Sequence, residues 1–117
     1  MSLDLEIADR GDYTVVTVRG EVDLASSPGL RDCLVELTET EAPRIVVDLE
    51  DVGFIDSTGI GVLVGGIKRA RSQGGELALV CTQRRILKVL EITGLTRVFP
   101  VYERLDQAVG ASVGRDV

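Results

Sequence analysis

The sequence predicts an α/β domain: a mixed sheet of about five strands carrying about four helices, in the order β-β-α-β-α-β-α-β-α. Three observations predict it. The chain opens with two apolar-alternating segments joined across Gly11-Asp12, the pattern of an antiparallel hairpin. It then switches between short branched-aliphatic runs and longer segments whose apolar residues fall three and four apart, which implies helical crossovers between parallel strands. Finally, 117 residues without a repeat or low-complexity tract allow one core and no second domain. Residues 1–110 are expected to form that core and 111–117, with Gly114-Arg115-Asp116, a frayed tail.

Each element has its own signal. Leu3, Leu5 and Ile7 alternate with Asp4 and Glu6 as a half-buried strand does, and the valine- and threonine-rich stretch from Tyr13 to Arg19 should pair back on it. Gly20-Glu21-Val22-Asp23 then reads as a short polar exit. Ser27-Pro28 opens a helix with serine as cap and proline at the first helical position, and Leu30, Cys33, Leu34 and Leu37 supply its stripe. Arg44 to Leu49 contains Ile45-Val46-Val47, the run of a strand covered on both faces, and a loop with Gly53 is expected to follow.

From Ile60 the apolar positions Ile60, Leu63, Val64, Ile67 and Ala70 form one helical stripe, which Gly74-Gly75 ends. Leu77 to Cys81 reads as a buried strand. Thr82 is placed to cap a helix with Ile86, Val89 and Leu90 on its buried side and Gly94 at its end. Val98-Phe99 is expected as a last strand, with Pro100 marking an edge or a strand end. Leu105, Ala108 and Val109 allow a short closing helix.

Composition removes several functions. The net charge of −6 offers no basic stripe to displace counterions from phosphates, so direct nucleic-acid binding is not expected. No apolar run approaches the roughly 20 residues of a membrane span, and Met1-Ser2-Leu3-Asp4 has neither a basic lead nor an apolar signal core, so a cytoplasmic protein is expected. The two cysteines, Cys33 and Cys81, give no metal spacing and no disulfide framework. With no histidine, Ser-His-Asp and Cys-His systems are excluded, and so is the commonest transition-metal ligand.

What remains is the segment Phe54-Ile55-Asp56-Ser57-Thr58-Gly59-Ile60-Gly61, where a strand pattern stops and a helix pattern begins. Asp56 or Ser57 can cap that helix, and the amides of its first turn suit an anion, so Ser57 is well placed to carry a phosphate. At about 100° per residue, Thr58, Gly61, Val62, Gly65 and Arg69 fall together opposite the apolar stripe. Glycine inside a helix costs roughly 1 kcal/mol relative to alanine, so Gly61, Gly65 and Gly66 imply close approach of something. Two readings stay open: the helix packs tightly on its own domain, or a bare platform beside Ser57 receives another protein, either a foreign partner or a second copy.

With Gly20-Glu21-Val22-Asp23, Val46-Val47-Asp48-Leu49, the Asp56-Ser57-Thr58-Gly59 segment and Ile92-Thr93-Gly94-Leu95, the chain resembles the anti-sigma-factor antagonists, the stand-alone STAS domains, over about its whole length. It looks most similar to those of actinobacterial type. The resemblance implies a non-enzymatic partner switch without a cofactor or metal. Unphosphorylated, the antagonist would bind an anti-sigma factor that is a serine kinase and so release a sigma factor. Phosphorylation of Ser57 would switch it off, and a PP2C-type phosphatase would restore it; Thr58 is the lesser phosphoacceptor. Asp23 matches the family's acidic residue near the site. Asp23, Asp56, Ser57, Thr58, Gly59, Gly61, Val62 and Gly65 are the expected partner-binding residues.

Four other readings compete with this one. A receiver-like phosphoacceptor wants an acidic pair after the first strand and a lysine near the last, whereas here a hairpin comes first and Val98 to Val101 holds no lysine. A Ser57 nucleophile lacks a histidine to activate it. Metal binding by Asp23, Asp48 and Asp56 competes with solvated or capping roles for the same carboxylates. A STAS sensor or scaffold module without a phospho-switch is the remaining alternative.

Overall fold

The computed structural model describes residues 3–108, so Val109 and the expected tail at 111–117 lie outside the described residues. A hairpin of β1 (Leu3–Asp9) and β2 (Thr14–Val22) is followed by α1 (Ser27–Leu37), β3 (Arg44–Ile55), α2 (Ser57–Ser72), β4 (Glu76–Val80) and α3 (Arg84–Ile92). A 3-10 turn at Leu95–Arg97 leads to β5 (Val101–Tyr102), and a last helix, α4, opens at 105–108. The five strands lie side by side in chain order. β1 runs antiparallel to β2, with Leu5 opposite Val18, and the remaining pairs are parallel. The predicted architecture and element order are those observed.

Because each crossover steps one strand further in the same direction, right-handed connections stack their helices on one face of the sheet. The main core lies there: Val16, Val18, Val47 and Leu79 of the strands meet Leu30 and Leu34 of α1, Leu63 and Ile67 of α2, and Ile86 and Leu90 of α3. On the other face Val15, Val46 and Val80 are covered by Ala108 of α4. Neighbours such as Val15 and Val16, or Val46 and Val47, therefore point into different cores, which is why these strands read as unbroken apolar runs.

Several boundaries differ from the sequence-based expectation, each for a local reason. β2 does not end at Arg19 but continues to Val22, passing Gly20 at φ 105 with a register shift between Gly20 and Glu21. A glycine that reads as a stop is here a bulge, a backbone state that side chains rarely adopt. β3 likewise runs twelve residues through Gly53 to Ile55, pairing Gly20 with Val52 and Glu21 with Phe54, so no loop precedes α2. Ser26 rather than Ser27 holds the cap position of α1; Ser27 is buried as its first residue.

Cys81 lies just past β4. Thr82 does not cap α3: its N–H and Oγ1 bond to the Glu50 carboxylate, at 2.6 and 2.8 Å. Gln83 takes the cap position, and its Nε2 donates to the carbonyls of Glu50 and Val52 at the end of β3. Val98-Phe99 is not a strand. The 3-10 turn draws the Phe99 N–H to the Leu95 carbonyl and buries the ring, and the last strand follows Pro100, whose carbonyl accepts from the Leu79 N–H at 2.9 Å. Proline thus enters the edge strand where no donor is needed.

Candidate functional site

The extra lengths of β2 and β3 decide where the site stands. Val22 and Ile55 are the last pair of the parallel ladder, and the Asp56 N–H still donates to the Val22 carbonyl at 3.1 Å. Both chains consequently leave the sheet together, one into the loop of residues 23–26, the other directly into α2. Asp56 stands at this junction in an extended conformation as the cap of α2. Its Oδ1 accepts from the Gly59 N–H at 3.0 Å, its Oδ2 from the Leu24 N–H at 3.1 Å, and its carbonyl from the Ile60 N–H at 2.9 Å. A single carboxylate satisfies a first-turn donor and ties down the neighbouring loop.

That loop is closed on itself. Asp23 Oδ1 accepts from the Ser26 N–H at 2.9 Å, the Asp23 N–H donates to Ser26 Oγ at 3.0 Å, and Ser26 Oγ lies 2.6 Å from the Glu21 carbonyl. The bonds from the Ser26 backbone and hydroxyl hold the Asp23 carboxyl below its ordinary value. The loop presents Leu24, which is 74% exposed, and Phe54, 47% exposed, belongs to the adjoining strand end. Sequence reasoning missed both. Alternation does not reveal Phe54, because Val52 and Ile55, three residues apart, both reach the same core.

Ser57, the first residue of α2, is exposed, and no hydrogen bond fixes its hydroxyl among the described residues. Since Asp56 caps the helix by way of Gly59, the serine oxygen carries no structural duty. The amides of Ser57 and Thr58 complete the first turn next to it, in the positive field of the helix end.

The glycines of α2 divide between the two readings. Gly59 is buried: a Cβ there would sit 2.7 Å from Val22 Cγ1 and 2.8 Å from Ile55 Cγ1. Gly66 would likewise meet Leu34 Cδ1 at 3.0 Å and Leu77 Cδ1 at 3.2 Å. These two let the helix lie close on the strands and on α1. Val62, expected to be exposed, is only 9% exposed and belongs to the core. The buried arc is Gly59, Val62, Leu63, Gly66, Ile67 and Ala70, turned from the expected stripe, with Ile60 and Val64 half-buried. The glycines draw the helix in along their own side, which rotates the inward face toward them.

Gly61 behaves differently, having nothing within 4 Å of the place a Cβ would take. At Gly65 that place is 3.4 Å from Arg69 Nη1, so the guanidinium lies over the bare helix. Thr58, Gly61, Val62, Gly65 and Arg69 line one open groove of about 200 Å³, as their helical spacing predicts, and Arg31 of α1 completes it. Val62 contributes a wall rather than a projecting contact. As for metal binding, Asp23 and Asp56 are engaged as described and Asp48 accepts from the Glu50 N–H at 3.0 Å. Among the described residues no three carboxylate or thiol side chains converge to hold an ion.

An unencumbered serine thus stands at a helix start, flanked by exposed apolar residues and an open groove. The STAS domain family model matches residues 4–108, and the chain belongs to that family. It is 34% identical over 109 residues to the anti-sigma-B factor antagonist of Bacillus subtilis, covering 93% of this chain and 99% of that one. Identity to the Staphylococcus aureus antagonist is also 34%, over 103 residues, 88% of this chain and 95% of the relative. Among solved structures, an anti-sigma factor antagonist from Mycobacterium paratuberculosis superposes with a TM-score of 0.87 at 28% identity, covering 95% of this chain and 94% of that one. The chain is thus a homologue of anti-sigma factor antagonists, non-enzymatic regulators that work by partner switching.

Proposed function

We propose that this protein is an anti-sigma factor antagonist whose state is set at Ser57. Unphosphorylated, it binds an anti-sigma factor serine kinase and frees a sigma factor; phosphorylated at Ser57, it releases the kinase, and a PP2C-type phosphatase resets it. It acts in the cytoplasm, without a cofactor and without contacting nucleic acid or membrane. Both the Bacillus relative and the mycobacterial structure are compatible with this scheme, and the actinobacterial type is our reading of the overall likeness of the sequence.

One observation carries the proposal: Ser57 is exposed at the first position of α2 while Asp56 supplies the cap, so a phosphate can be added and removed without breaking a bond that holds the fold. The phosphate brings about −1.5 to −2 charges to a surface that already presents Asp23 and Asp56, and the partner must approach that surface. Ser57, Thr58, Gly61 and Gly65 form the contact face in this reading, with Leu24 and Phe54 as apolar anchors. Gly59 and Val62 support it from within.

The test is isothermal titration against the cognate kinase. Ser57→Ala should bind as the unmodified chain does, and Ser57→Asp at least about tenfold more weakly, the effect of roughly 1.4 kcal/mol of repulsion. Incubation with kinase and ATP, followed by peptide mass spectrometry, should place the phosphate on Ser57. Equal affinity of the two variants would overturn the switch.

A further inference from the structure

The groove between α1 and α2 differs in charge from the rest of this acidic chain. Its lining includes two arginines, Arg31 and Arg69, and no acidic residue. Arg69 is half-buried with its guanidinium laid over Gly65, and its Nε is buried with no hydrogen-bond partner among the described residues. Arg31 makes one loose pair, 3.7 Å from Asp32, its exposed neighbour on the same helix. A guanidinium presents a planar fork of donors suited to a carboxylate. Glycine at 61 and 65 leaves room for that acceptor beside the helix, and Thr58 makes the groove continuous with Ser57.

We propose that this groove receives an acidic side chain, an aspartate or glutamate of the captured anti-sigma factor, held by Arg69 with Arg31 opposite. This deepens the proposed function and rests on it. The groove gives the antagonist a second, oppositely charged point of attachment next to the serine. A negative charge placed on Ser57 stands close to the partner's own acidic group as that group is being seated.

The experiment is titration calorimetry of the cognate kinase against wild type, Arg69→Gln, Arg31→Gln and Gly61→Leu, at 0.1 M and 0.5 M salt. Gly61→Leu projects into the groove from a position where an added Cβ meets nothing within 4 Å, so it tests the groove even if an arginine variant proves unstable. Arg69→Gln should bind at least about tenfold more weakly at low salt and with a shallower salt dependence than wild type. Arg31→Gln should lose less, and Gly61→Leu should lose binding with a melting temperature no lower than that of wild type. Wild-type binding together with variant affinities within twofold of it would overturn this inference and leave the Ser57 switch intact. No binding by wild type would sink both. Dimerisation of this protein that Arg69→Gln abolishes in sedimentation would assign the groove to a second copy and overturn the proposal.

Discussion

At Asp56 two separate elements depend on one side chain, because its two oxygens take the Gly59 and Leu24 amides. Asp56→Ala removes both acceptors, and a lost cap alone costs about 1–2 kcal/mol. Urea denaturation should show a loss of at least that size, with Asp56→Asn recovering part of it because an amide oxygen still accepts one bond. Asp23 makes a separate prediction in pH. Its folded-state pKa lies below the ordinary 3.8 because the carboxylate accepts from Ser26. A depressed carboxylate stabilises the fold fully above its unfolded pKa and loses that contribution as pH falls through the folded value. The stability difference between wild type and Asp23→Asn should therefore be constant above pH about 5 and shrink from pH about 4 downward. A difference independent of pH from 7 to 2.5, followed by urea melts, would show that the Ser26 bonds do not matter to the charged form.

Within α2, two glycines two residues apart make opposite demands. Gly59→Ala forces a Cβ to within 2.8 Å of Val22 and Ile55 atoms at the end of the sheet and should destabilise by about 1–3 kcal/mol. Gly61→Ala meets nothing and should be neutral or stabilising by up to about 1 kcal/mol. Denaturation midpoints of the two variants check the pair; equal shifts would refute the packing account. The same helix shows what sequence periodicity can and cannot convey. Its existence, its start at Asp56 or Ser57 and the grouping of Thr58, Gly61, Val62, Gly65 and Arg69 were legible from spacing, and the structure settles the cap at Asp56. The inward rotation that buries Gly59 and Val62 was not, because it depends on how closely Val22 and Leu34 approach, and a glycine does not announce what comes near it. Strands β2 and β3 were cut short for a related reason: Gly20 and Gly53 with their acidic neighbours look like turns, yet each strand's last residues are held by pairing with the other. Leu24 escaped notice because an exposed leucine in a short loop has no periodic signature.

Across the molecule, the order of the strands places the whole of the proposed site at one end. Parallel β2 and β3 finish side by side, so the loop of Asp23 and the start of α2 emerge together, while the rest of the sheet, packed on both faces, lies beneath them. This arrangement was legible from the chain: a hairpin and then alternating units implied the parallel crossovers, although not which face α4 would cover. It also limits how a phosphate at Ser57 can act. With Asp56 capping the helix and the serine bonded to nothing in the fold, the modification has no packed element to displace, so its effect must be made at the surface by charge and bulk. Amide chemical shifts of the phosphorylated chain should change around residues 22–26 and 54–61 and hardly at all in β1, β4 and β5. Electrostatic repulsion is screened over about 10 Å at 0.1 M salt and about 3 Å at 1 M. The ratio of kinase affinities between the unmodified and the phosphorylated protein should accordingly shrink as salt is raised over that range, leaving a residue due to bulk alone. A ratio independent of salt, or shift changes that spread through the sheet, would mean that the phosphate works by rearranging the domain.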